Sequence, residues 1–317
     1  MPQGRPPASR GQAAAEYTGT SHNSTGSSIG LFPASLKPID SAPMPRTTRA
    51  RRADPLDLYI RAVQCPDAEV AFVRRAYRNA LGLEPRSLRE DFCGTGANAC
   101  AWARSTSPGT RAIGLDLCRE TLDWGLAHNV AALSAPARRR VSLLHADVRH
   151  PPPQARRVDA VLASNFSYWV FKTRTDLRAY FRSVRRSLHP RGGVFVLDAY
   201  GGYESMKEMK ERRPLRGFTY VWEQERYDPA SGDMTCHISF SFPDGSRLRR
   251  AFTYHWRLWT IPEIREILAE AGFDSARTTI YIEGDDGHGE GNGIFSPVPR
   301  DGAPADATFV AYIVAAD

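Results

Sequence analysis

No stretch of about 18 consecutive apolar residues occurs in the 317-residue chain, so the sequence offers no membrane-spanning helix. No apolar core of about 7–15 residues lies near the N-terminus, which argues against a secretory signal. The five cysteines (Cys65, Cys93, Cys100, Cys118, Cys236) include no CxxC pair, and their odd number leaves one unpaired in any disulfide scheme. Reduced thiols in a cytoplasmic compartment are the simplest reading. No His, Cys and Asp spacing marks a metal site. Excess charge is also scarce in the body of the chain. The net charge is +7, but residues 1–52 hold seven basic groups against Glu16 and Asp40, which leaves +2 for residues 53–317. A near-neutral body without a basic stripe weighs against a nucleic-acid partner.

Residues 1–52 are dominated by Ser, Thr, Ala, Pro, Gly and Arg, too polar to bury a face, and are expected to be a disordered tail. Their Arg-rich, acid-poor composition also suits an organelle-targeting peptide, and Met44 is an alternative start. From Asp54 onward the pattern changes. Leu56, Leu58, Tyr59 and Val63, then Val70, Phe72, Val73, Tyr77 and Leu81, recur at helical spacing, with a break at Pro66 and a stop at Gly82. Short apolar strands at about 86–91, 111–116, 140–145, 158–164 and 193–199 then alternate with helical stretches. That rhythm predicts right-handed crossovers and a parallel sheet covered on both faces. Residues 217–228, 233–242 and 247–258 instead alternate polar with aromatic or β-branched residues around turn sequences, which predicts a three-stranded antiparallel meander. A helix at 261–271 and strands at 277–282 and 307–314 complete the chain, the last two flanking a Gly-rich loop over 284–293.

Chemistry-bearing residues collect at the ends of successive strands. Leu88-Arg-Glu-Asp-Phe-Cys-Gly-Thr-Gly96 joins the first strand to a helix of small residues, and such a turn lets a ligand approach the backbone. Asp116 ends the second strand, where a carboxylate can accept hydrogen bonds from ribose hydroxyls. Asp147 follows the third strand and Asn165-Phe-Ser-Tyr168 the fourth. The conjunction is more specific than any one of these features.

In this combination the chain resembles the class I S-adenosylmethionine-dependent methyltransferases, from about residue 54 to the C-terminus. The resemblance implies an α/β fold: a doubly wound, mostly parallel seven-stranded sheet (Rossmann-like methyltransferase fold) with the three-stranded β meander inserted as a lid. Residues 53–317 would form that domain and 203–259 the lid. It further implies S-adenosyl-L-methionine as cofactor, with Glu90 or Asp91 and Cys93, Gly94 and Gly96 at its methionine end. Asp116 would hold ribose and Leu117 pack near adenine. Asp147 and the Val148 backbone would meet the adenine amino group, and Asn165, Phe166 and Ser167 line the methyl-transfer site. Phe92 stands where the family places its first glycine. The insert resembles the lids of small-molecule members such as glycine and sarcosine N-methyltransferases, in which N-terminal tyrosines, here Tyr59, close over the cofactor.

The implied reaction is in-line methyl transfer to a nitrogen or oxygen of a small molecule, with orientation the protein's main contribution. Asp198, Tyr168, Glu223 and His255 are the candidate groups on the acceptor side. With period two, Tyr220, Trp222 and Gln224 share one lid face and Val221, Glu223 and Glu225 the other, and the sequence leaves open which looks inward. Two alternatives accompany this reading. One is a nicotinamide-dependent oxidoreductase, for which no hydride-transfer constellation is found. The other is an RNA-modifying methyltransferase.

Overall fold

The computed structural model describes residues 47–105, 109–285, 291–299 and 302–317. The tail expected over residues 1–52 lies mostly outside these residues, but its last part does not match expectation. Arg49–Arg52 form a short helix, α1, whose Arg49 and Ala50 N–H groups donate to Asp244 and Ser246 at 2.8 and 3.1 Å. Helix α2 (Pro55–Val63) starts with Pro55 in its first turn and an Asp54 carboxylate that accepts the Leu56 N–H. Helix α3 (Pro66–Leu81) is opened by Pro66 and closed by left-handed Gly82, whose φ is 69°.

Strands and helices then alternate: β1 (Ser87–Asp91), α4 (Ala97–Arg104), β2 (Arg111–Asp116), α5 (Arg119–Gly125), α6 (Ala135–Arg138), β3 (Val141–His145), β4 (Ala160–Ala163), α7 (Arg174–Ser187) and β5 (Val194–Gly201). The inserted strands are β6 (Met209–Leu215), β7 (Phe218–Tyr227), β8 (Asp233–Ser241) and β9 (Arg247–Arg257). Helix α8 (Ile261–Ala271) returns to the main layer, followed by β10 (Thr278–Asp285), β11 (Gly291–Pro297) and β12 (Phe309–Ala316).

The main sheet has the order β11-β10-β12-β5-β4-β1-β2-β3. Its five strands from β5 to β3 are parallel, and β12 runs antiparallel between β5 and β10. Among the described residues the sheet thus has eight strands where seven were expected. The eighth, β11, pairs with β10 inside the Gly-rich segment read as a loop; residues 286–290 of that segment lie outside the described residues. The lid likewise has four strands, ordered β6-β7-β8-β9, where three were expected.

Two cores flank the main sheet. On one face Val70, Phe72, Val73 and Tyr77 of α3 and Ala99 and Trp102 of α4 meet Leu88, Leu162 and Val196. On the other, Leu115, Val161 and Leu197 join α2, α7, α8 and the inner face of the lid in one continuous apolar cluster. The lid's inner residues therefore belong to the core of the domain. No helix among the described residues is long and apolar enough to cross a membrane.

Candidate active site

The two acids rivalling each other on β1 point to opposite faces, as strand alternation requires. Asp91 pairs with the buried Arg89 guanidinium at 2.8 Å and accepts the Tyr180 hydroxyl at 2.9 Å, so it is consumed by a structural ion pair under α7. Glu90 faces α3 and α4. It accepts the Ala99 N–H and the Asn98 amide, both at 3.0 Å, and the same Asn98 amide donates to Glu69 at 2.7 Å. Burial pushes the Glu90 pKa up to about 8, and the neighbouring Glu69 charge adds to the rise. Glu69, a buried acid on α3, is a member of this cluster that sequence reasoning missed.

The turn after β1 keeps the left-handed path expected of a glycine motif even where glycine is absent. Phe92 has φ 55°, Gly94 52° and Gly96 68°. The Phe92 ring packs on Phe171 and Tyr180 at centroid distances of 5.9 and 5.6 Å. Gly96 is required on two counts, because a Cβ there would also lie 2.5 Å from Leu143 Cδ2. Cys93 is fully buried in the sheet, its N–H donating to the Leu115 carbonyl at 2.9 Å, so its thiol lines no opening. Asp116 accepts the Gly94 N–H at 2.7 Å and the Cys118 N–H at 2.8 Å, which ties the end of β2 to the turn. Burial raises its pKa against these two bonds.

At the next strand ends, Leu117 is 57% exposed, an unburied apolar side chain beside Asp116. Asp147 is gripped by the Arg149 guanidinium at 2.8 to 3.2 Å; burial opposes the shift, but these bonds hold its pKa below the usual range. Val148 is buried. After β4, Asn165 and Phe166 take consecutive left-handed conformations with φ 64° and 57°, and both of their N–H groups donate to Asp198, at 2.6 and 2.8 Å. The Ser167 hydroxyl turns back to the Ser164 carbonyl at 2.9 Å. Burial pushes Asp198 up to about 8 despite the two N–H donors.

On the acceptor side the structure corrects several expectations. Tyr168 is fully buried and its hydroxyl donates to the Asp198 carbonyl at 2.7 Å, so it faces the interior. Tyr220, Trp222 and Gln224 form the inner lid face; Glu223 pairs with Lys210 at 3.0 Å and His255 is exposed, both on the outer face. Tyr59 is fully buried against Phe252, with ring centroids 5.0 Å apart, beneath the lid. The polar groups that meet where the lid covers the end of β5 are Tyr200, from β5 itself, and Gln224, from β7 of the lid. The Tyr200 hydroxyl donates to Gln224 at 3.1 Å, and Gln224 donates to the Ser205 carbonyl at 2.9 Å. Trp169, Tyr254 and Trp256 surround them with aromatic surface.

Residues 92–192 match the family model described as a methyltransferase domain. That match spans 101 of the 317 residues. Solved methyltransferases share the chain's architecture. An S-adenosylmethionine-dependent methyltransferase from Clostridium acetobutylicum superposes with a TM-score of 0.57 at 17% identity, over 81% of this chain and 94% of that one. The amino pentose methyltransferase CalS10 from Micromonospora echinaspora gives 0.55 at 20% identity, over 81% and 95%. The sugar N-methyltransferase KedS8 from a Streptoalloteichus species gives 0.52 at 18% identity, over 92% and 98%. At such identities the likeness is one of fold. No curated protein matches the sequence.

Proposed function

We propose that this methyltransferase domain binds S-adenosyl-L-methionine and moves its methyl group to a nitrogen or oxygen atom of a small-molecule acceptor. The observation that carries the reading is the row of acids Glu90, Asp116 and Asp147 at the ends of adjacent parallel strands β1, β2 and β3, beside a left-handed turn. Ligands of open α/β sheets bind at that carboxyl edge. The donor set suits the cofactor: Glu90 and Glu69 form a buried acidic corner that can accept hydrogen bonds from an ammonium group, Asp116 retains acceptor capacity for ribose hydroxyls, and exposed Leu117 offers an apolar surface to adenine. When bound, the cofactor supplies an electrophilic methyl on a sulfonium.

The chain's own contribution is positional. Asp198 fixes the backbone of Asn165 and Phe166, and with it the wall of the methyl-transfer site, while the aromatic inner lid excludes water. Asp198 is thus a positioning residue in this reading. The amino-sugar enzymes among the structural neighbours make amines the first acceptors to try. Labelled S-adenosylmethionine should transfer its methyl to components of a small-molecule extract and leave RNA unlabelled. Asp116→Ala should weaken binding of S-adenosylhomocysteine by about tenfold or more, as loss of hydrogen bonds to a charged group implies. Unchanged affinity in calorimetry would remove the ribose assignment.

A further inference from the structure

Next to Asp147, the last of the strand-end acids, lies a concavity whose basic lining the methyltransferase reading does not use. It has a volume of about 520 Å³ and sits between the outer side of α7 and the segment that follows β3. Its lining is strongly of one sign: Arg149, His150, Arg156, Arg182 and Arg186 face a single acid, Asp176. Arg149 is neutralised by Asp147. No carboxylate pairs with Arg156, Arg182 or Arg186 among the described residues, and their protein partners are carbonyls where they have any. Arg156 donates to the Pro151 carbonyl at 2.9 Å and Arg182 to the Glu270 carbonyl at 3.2 Å. Leaving His150 out of the count, three guanidiniums against Asp176 leave two uncompensated positive charges in the pocket.

We propose that this cleft is a binding subsite for a phosphate-bearing small molecule, recognised through a diphosphate group. Guanidinium forks match phosphate oxygens two at a time, and a one-signed concavity concentrates the field on its contents. The cations are all guanidiniums; the lysines of the chain (Lys37, Lys172, Lys207, Lys210) lie elsewhere in the sequence and none lines the cleft. The charge left over matches a dianion or trianion. The guanidiniums converge on one pocket, whereas a nucleic-acid backbone calls for an extended stripe. Through Arg149 the cleft adjoins Asp147, so a bound diphosphate would sit next to the end of β3.

The test is calorimetric titration of the full chain with sodium pyrophosphate, which needs no activity and does not depend on the cofactor assignment. Arg182→Gln with Arg186→Gln should weaken binding by about tenfold or more, the loss expected for two charge-assisted contacts. Arg139→Gln with Arg265→Gln, both exposed on other surfaces, should change it by less than about twofold, the scale of screened long-range charge. Arg186→Gln alone, at a side chain with no hydrogen-bond partner among the described residues, covers the case in which loss of the Arg182 bond to α8 destabilises the double variant. Absence of binding to the wild-type chain overturns the proposal. So do equal losses in both double variants, or tight binding of a short single-stranded RNA that pyrophosphate does not displace.

Discussion

Asp198 accepts the backbone N–H of Asn165 at 2.6 Å across the junction of β5 and β4. The neighbouring Phe166 N–H goes to the same carboxyl group, so two consecutive left-handed residues hang from one side chain. Each left-handed non-glycine residue costs roughly 1–2 kcal/mol, and each hydrogen bond to the carboxyl returns roughly 0.5–1.5 kcal/mol, more when the group is ionised. In Asp198→Asn the amide presents an NH₂ to one of these donors. The expected loss is about 2 kcal/mol, or about 4–8 °C in melting temperature, with methyl transfer reduced more than cofactor affinity. A melting temperature within about 1 °C of wild type would remove Asp198 as the support of this loop.

Phe92 invites an inverted comparison. Glycine in place of alanine ordinarily destabilises, but at φ 55° alanine keeps the left-handed strain and glycine relieves it. Both variants lose the ring contacts with Phe171 and Tyr180. Phe92→Gly should therefore be more stable than Phe92→Ala by about 1 kcal/mol, read from denaturant midpoints. The opposite order would mean the turn relaxes out of its left-handed path once the ring is gone.

Glu90 and Asp198 are both pushed up to about 8 by burial. The folded chain then binds protons that the unfolded chain has released, so stability is fully present below the ordinary carboxylate range and falls as pH rises towards about 8. Melting temperature without ligand should decline between about pH 5 and pH 8. Glu90→Gln should flatten part of that slope whatever its absolute stability. An identical slope in the variant would show that Glu90 does not titrate in this window.

The N-terminal segment gives a boundary test. Removing residues 1–43 should leave the melting temperature unchanged. Removing residues 1–52 deletes the N–H bonds from Arg49 and Ala50 to the β8–β9 turn and should cost about 1 kcal/mol, or about 2–4 °C. Equal melting temperatures for the two truncations would make α1 a passive feature.

Much of this architecture was legible in the sequence because most of the parallel strands carry short apolar runs with polar residues at or just past their ends, and β7, β8 and β9 alternate over most of their length. Strand β6 was missed because Met209-Lys-Glu-Arg-Arg-Pro-Leu215 is charged and carries Pro214, a composition tolerated only at a sheet edge, where it lies. Strand β11 was hidden by glycine. The rivalry of Glu90 and Asp91 could be decided only by knowing which sheet face each helix covers. Glu69 gave no signal at all, since one acid on an amphipathic helix reads as solvent-facing until the packing of α3 brings it to Asn98.

The continuity of the inner lid with the main core has a consequence for how molecules exchange. Lifting the lid as a unit would bare Trp222, Tyr254 and Trp256, all nearly fully buried. At roughly 2 kcal/mol for each, the raised form would be populated in only about one molecule in ten thousand. The four strands then behave as a fixed ceiling, and traffic to the strand ends passes beside it, through side-chain and loop rearrangement at the rim.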